Sequence, residues 1–251
     1  MGTDRDWKKW GQADPYFGVL SNEAFRSDRL NQASREAFFA TGDAHVAELL
    51  KTIRSHFDAD FVPGTTLDFG CGVGRLLIPF ARVSARAVGL DISQAMLDEA
   101  KANAEQHGLS NVELRLSDDQ LSEAEGRFDL VHSHIVLVHI PTRRGMQYLS
   151  MLARKVAPGG YLAVQVLFAC HAPWWKRLLV RASYALPPLN MLRNLARGRR
   201  LREPAMQLHV YPMHEILPML SELGFGPALL PTEKLPDGSF SSAVVIARRE
   251  A

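Results

Sequence analysis

The sequence predicts an α/β fold on a mostly parallel sheet, and three observations carry that prediction. An apolar run ends in Leu67-Asp68-Phe69-Gly70-Cys71-Gly72-Val73-Gly74-Arg75, with glycine at every second position of the loop. About twenty residues later, Arg86 to Asp91 reads as a second apolar strand that ends in a carboxylate just before Ser93, a helix starter. Strand-like and helix-like segments then alternate until two final strand-like runs, Ala228 to Lys234 and Phe240 to Arg248, flank the turn-forming pair Asp237-Gly238.

From the N-terminus, Trp7 to Leu20 holds Trp7, Trp10, Tyr16 and Phe17 around Gly11 and Asp14-Pro15, which suits either a segment folded over a pocket or a terminal anchor. Between Ser34 and Phe57 the spacing of Phe38, Phe39, Val46, Leu49, Leu50 and Ile53 suits amphipathic helices, broken near Thr41-Gly42-Asp43, with Asp43 capping the second. Residues 1–60 are therefore expected to form a helical cap ahead of a core domain spanning 61–251.

The glycine loop itself implies a nucleoside site. Gly70, Gly72 and Gly74 have no Cβ, so the main chain there is free to approach a ligand closely. A dinucleotide fingerprint wants glycine at its sixth position, which here is Arg75. Asp91 at the tip of strand two shares the crevice with the loop after strand one, and one carboxylate can accept from both hydroxyls of a ribose.

Leu67 to Gly74 together with Asp91 resembles the glycine-rich motif and acidic strand tip of class I S-adenosylmethionine-dependent methyltransferases. Val112 to Asp119 is similar to their third strand, whose terminal acid, here Asp118, approaches the adenine amino group. Phe128 to His134 is similar to their fourth strand, and Leu152 to Val166, with Pro158-Gly159-Gly160, to the helix, turn and fifth strand that follow. The resemblance spans about residues 64–168 and resumes near 209. It implies a Rossmann-like, doubly wound, seven-stranded, mostly parallel sheet with an antiparallel last strand and helices on both faces. It also implies S-adenosyl-L-methionine as cofactor, held by Asp68, Gly70, Cys71, Gly72, Gly74, Arg75, Asp91, Ile92, Met96, Asp118, Asp119 and Ser133.

After strand five, residues 171–208 carry Lys176, Arg177, Arg181, Arg193, Arg197, Arg199, Arg200 and Arg202 against one acid, Glu203. Tryptophans and leucines are interleaved with them, and Pro187-Pro188 divides two expected helices. This basic amphipathic insertion leaves the carboxyl edge of the sheet and is expected to overhang the crevice as an acceptor lid, with a solvated hairpin or contact with an anionic membrane as the other readings. His214 to Gly224 then reads as a helix before the final hairpin.

The expected chemistry is in-line methyl transfer to a small molecule, with a histidine as general base for a hydroxyl acceptor. His134, at the tip of strand four, leads as the base, and His139, His209 and Tyr211 are further acceptor-side candidates; His132 reads as an interior residue. No metal site is expected, because no carboxylates follow the histidines at ligand spacing. Enzymes of similar fold that methylate adenine or glutamine nitrogens carry Asn or Asp, two prolines and an aromatic after strand four, where this chain reads Ser133-His134-Ile135-Val136. A hydroxyl of a sugar or secondary metabolite is therefore the leading acceptor, anionic or sugar-linked forms suiting the arginines. An N- or C-methyltransferase on a small molecule or lipid-linked acceptor is the alternative, and a nicotinamide-dependent oxidoreductase the more distant one.

Composition agrees. The 251 residues are 47% apolar, enough for one large core, and a net charge of +2 provides no global attraction for nucleic acid. Two cysteines are too few for a disulfide framework, and Met1 to Lys9 lacks an apolar stretch, so a cytoplasmic setting is expected. Oligomeric state is not set by the sequence.

Overall fold

Seven strands form one sheet in the order β3-β2-β1-β4-β5-β7-β6. The strands are β1 (Thr65–Phe69), β2 (Arg86–Asp91), β3 (Val112–Leu116), β4 (Phe128–Ser133), β5 (Val156–Cys170), β6 (Thr232–Lys234) and β7 (Phe240–Arg248). The computed structural model describes residues 2–185, 187–196, 201, 203–204 and 206–250. β1 to β5 run parallel, whereas β7 is antiparallel to both β5 and β6. The seven-stranded Rossmann-like sheet implied by the sequence is thus the observed one.

Side chains alternate across the sheet and build a core on each face. On β5, Leu162, Val164 and Val166 point to helices α6 (Thr142–Lys155) and α9 (Met213–Glu222), where Leu149, Leu152, Ile216 and Leu220 are buried. Tyr161 and Ala163 point the other way, to α3 (Gln32–His56) and α4 (Leu77–Val83), against Leu49, Ile53 and Phe80. Helix α5 (Gln94–Gln106) lies beside β2 and β3.

Three helices precede β1: α1 (Gly2–Ala13), α2 (Pro15–Val19) and α3. Pro15 occupies the first position of α2, where a missing N–H costs nothing. Trp10, Tyr16 and Phe17 are buried with Phe25, Phe38, Phe39, Val73 and Met96 in one aromatic cluster. Arg26 closes this cap: its guanidinium meets Asp14 at 3.1 Å and Glu203 at 2.9 Å and lies 3.7 Å from the Phe17 ring centroid.

Two local expectations are corrected. The helices expected on either side of Thr41-Gly42-Asp43 are one unbroken 25-residue helix, α3, started by a capping box between Asn31 and Ser34. Gly42 serves a close approach instead of a break: a Cβ there would stand 2.0 Å from the Arg75 carbonyl oxygen. Asp43 caps nothing and pairs with Arg82 at 2.6 Å. The strand expected over Ala228 to Lys234 is likewise shortened to Thr232–Lys234, because Pro231 has no N–H for the ladder; Leu229 keeps only an isolated bridge to Ile246.

The insertion folds as α7 (Trp174–Ala185) and α8 (Pro187–Ala196). Arg197, Arg199, Arg200 and Arg202, counted in its basic character, lie outside the described residues.

Candidate active site

The order β2-β1-β4 places three strand tips side by side, and one cavity runs along them. Asp91 and Ile92 come from β2, Phe69, Gly70 and Gly72 from β1 and its loop, and His134, Ile135 and Val136 from the turn after β4. Met96, Ser117, Tyr148 and Arg144 complete the inner wall, while Thr3, Asp4, Trp7 and Val19 of the cap cover it.

The loop after β1 takes its shape from its glycines. Gly70, Gly72 and Gly74 have φ of +76°, +54° and +90°, the left-handed region open to glycine. Added Cβ atoms at Gly70 and Gly72 would collide with Val136 at 2.3 Å and Val19 at 2.4 Å. Asp91 fixes the loop to strand two, accepting from the Gly72 N–H at 3.0 Å and the Ser93 N–H at 2.9 Å. Burial raises its pKa to about 6, with the nearby Asp68 charge adding to the rise, although those two N–H groups favour the ionised form.

Of the residues expected to hold the cofactor, Gly70, Gly72, Asp91, Ile92 and Met96 line the cavity. The others are not among its lining residues. Asp68 is buried and accepts from His132 Nδ1 at 2.8 Å. Cys71 is buried under the loop, where desolvation pushes its thiol well above the ordinary range. Gly74 packs on Ile78 and Ala100, and Ser133 donates to the Phe69 carbonyl at 3.0 Å. Arg75 is buried beside Thr41, and desolvation lowers its pKa to about 10. Asp118 turns back to accept from the N–H groups of Gln120 and Ser122, and Asp119 accepts from Tyr148 Oη at 2.9 Å.

Among the four acceptor-side candidates, His134 lines the cavity. Its Nδ1 is buried without a partner among the described residues, and desolvation, with His45, His132 and Arg75 nearby, holds the ring neutral. His139 packs against Trp7, bonds the Gln207 carbonyl through Nδ1 at 2.8 Å, and has a pKa lowered to about 4 by burial. His209, two residues after Gln207, donates its backbone N–H to the Val138 carbonyl at 2.8 Å. Tyr211 directs its hydroxyl at the carbonyls of Leu137 and Ile140, 2.7 and 2.8 Å away, and so fixes the turn after β4 from behind.

Sequence reasoning missed His45 of α3. Its Nε2 lies 3.1 Å from His132 Nε2 and its ring centroid 4.2 Å from that of His134, so hydrogen bonds link Asp68, His132 and His45, and a ring contact extends the row to His134. Burial and the neighbouring His132 lower the His45 pKa to about 3. The available signal was its spacing: His45 is three residues after Gly42, on the helix face that approaches the loop. Arg144 and Tyr148, one turn apart on α6, were also missed; Arg144 bridges Asp4 of α1 and Asp119.

Residues 66–160 match a family model described as a methyltransferase domain. The chain is similar to a ubiquinone biosynthesis O-methyltransferase of Bradyrhizobium sp. strain ORS 278, at 36% identity over 101 residues, 40% of this chain and 39% of that protein. A magnesium-protoporphyrin O-methyltransferase of Synechocystis sp. is 36% identical over 93 residues, 37% of this chain and 40% of that protein. The matched stretch thus spans well under half the length of these curated relatives. A solved structure of magnesium protoporphyrin IX methyltransferase from Synechocystis PCC 6803 with bound SAM shares the fold at a TM-score of 0.61 and 19% identity, covering 100% of this chain and 98% of that one. Residues 66–160 thus carry a methyltransferase domain, set on a seven-stranded Rossmann-like sheet.

Proposed function

We propose that this protein transfers a methyl group from S-adenosylmethionine to an oxygen of a small molecule, with His134 as general base. The observation that carries the reading is the single cavity running from the Asp91 strand tip, past the glycine loop, to His134. A half-buried acid in the cavity wall, a positive-φ main chain and the apolar Ile92 and Met96 side chains fit a nucleoside. When bound, the donor would supply a methyl carbon made electrophilic by its sulfonium, without metal or protein nucleophile.

The chain's own residues would then do three things. Asp91 would accept from the ribose hydroxyls. Val136, Ile140 and Tyr148 would exclude water and hold an acceptor against the strand tips. His134 would take the proton leaving the acceptor hydroxyl onto its imidazole, at the point where the cavity meets β4. The Asp68–His132–His45 chain behind His134 would orient that ring.

The walls favour a hydroxyl carried on an apolar or aromatic body, since Trp7, Val19, Phe69, Ile140 and Tyr148 dominate them. The ubiquinone-biosynthesis and magnesium-protoporphyrin relatives support the same acceptor class. An anionic or sugar-linked acceptor is a second reading, favoured by Arg144, the cationic side chain of the wall.

The test is release of S-adenosylhomocysteine from S-adenosylmethionine against phenols, hydroquinones, porphyrins and sugar nucleotides. Turnover on the aromatic acceptors is expected. His134→Ala should lower kcat on the active acceptor by about 10²–10⁴ while cofactor Kd stays unchanged. Full activity in that variant would remove His134 as the base.

A further inference from the structure

The α7–α8 hairpin exposes apolar surface of a kind found nowhere else among the described residues. Of thirteen large apolar side chains exposed there, nine lie between Trp174 and Leu201. Trp174 is 75% exposed, Leu178 60%, Leu179 63%, Leu192 62% and Leu195 62%. On α7, Trp174 and Leu178 stand one turn apart, as do Trp175 and Leu179; on α8, Leu192 and Leu195 are likewise neighbours. Soluble surfaces scatter single apolar residues, and a continuous patch marks a binding face.

Charge decides what covers it. The sequence from 171 to 202 contains eight lysines and arginines and no acid. Lys176, Arg177 and Arg181 are exposed on the apolar helix itself, and Lys176 Nζ sits 5.4 Å from the Trp175 ring centroid. A second copy of this chain would set like charges against each other. Nucleic acid would satisfy the cations and leave the tryptophans and leucines in water. Anionic lipid satisfies both, with basic groups at the phosphates and Trp and Leu at the acyl boundary. No described helix is long and apolar enough to cross a membrane, so the contact is peripheral.

We propose that the α7–α8 hairpin docks on the surface of an anionic lipid bilayer. The hairpin is rooted beside the mouth of the cavity. Glu203, just after it, pairs with Arg26 of the cap, and Met206 lies 3.3 Å from Ser21 Oγ. Gln207 and His209 then bond His139 and Val138 in the turn after β4. Docking would therefore bring the acceptor side of the cavity to the lipid surface, and it stands whether or not methyl transfer does.

The experiment is co-sedimentation of the full chain, without cofactor or acceptor, with vesicles of phosphatidylcholine alone or with about one-third phosphatidylglycerol, at low and high salt. Binding to anionic vesicles is expected to exceed binding to neutral ones at least about tenfold, to weaken with salt, and to shift tryptophan emission to the blue. Arg177→Glu with Arg181→Glu, and separately Trp174→Ala with Leu178→Ser, should each weaken it at least about tenfold, with thermal unfolding and S-adenosylmethionine affinity unchanged. Absence of vesicle binding, equal binding to neutral vesicles, or variants that bind like the parent would overturn the proposal. So would duplex DNA binding of equal strength, or a concentration-dependent dimer abolished by the same substitutions. Loss of cofactor affinity in the parent chain would count against the methyltransferase reading alone.

Discussion

Asp91 shows how a side chain that holds the backbone is also the one proposed to grip the ribose. It ties the glycine loop to β2 through two N–H groups, yet burial lifts its pKa to about 6. Hydroxyl donors bind the ionised carboxylate better, so cofactor binding and deprotonation are linked: affinity is full above pH 6 and declines as the pH falls through that value. Calorimetric titration of S-adenosylhomocysteine should show Kd rising toward tenfold per pH unit below about 6. Asp91→Asn should bind at least about tenfold more weakly at pH 7.5 and lose that pH dependence, and an unchanged profile would place the ribose elsewhere. Asp91 and the glycines were legible because backbone strain and a strand-tip acid are written in residue type and spacing. His45 was not, because its role exists only where α3 crosses β4.

At the scale of elements, α3 illustrates a glycine that sequence reading assigns to the wrong cause. Glycine inside a helix costs about 1 kcal/mol relative to alanine, so a solvent-facing Gly42→Ala should stabilise the protein. The structure predicts the opposite sign. A Cβ 2.0 Å from the Arg75 carbonyl must push the helix off the loop, which costs about 1–3 kcal/mol. Urea unfolding of the variant separates the two, and a gain in midpoint would mean that α3 does not approach the loop as described. β6 teaches a related lesson: a run with strand composition was cut short by Pro231, because a proline cannot donate to a ladder.

For the whole molecule, Arg26 is the junction that holds the cap to the end of the insertion. It lies between buried Asp14 and Glu203, and Glu23, with these two acids, holds its pKa above the ordinary value despite desolvation. Arg26→Ala would remove the cation that Asp14 and Glu203 share and should cost about 1–3 kcal/mol. Limited proteolysis should then cut near residues 20–30 and 203–208 before the sheet domain is degraded, and protection equal to the parent would show that the cap is held by its aromatic cluster instead. Thr3, Asp4, Trp7 and Val19 of the cap line the cavity, so this junction also bears on what the site admits.

By itself the sequence determined the glycine loop and the acid beside it and, by resemblance, a seven-stranded and mostly parallel sheet. Periodicity, turn chemistry and a short-range motif specify those features within stretches of a few tens of residues. Tertiary structure alone decided that α3 runs unbroken, that Asp68 faces His132 and not the cavity, that Tyr211 braces a turn, and that His134 reaches the wall with His45 behind it. The physical reason is that which face a side chain turns to, and what lies within hydrogen-bond reach of it, depends on segments far apart in the chain being packed together.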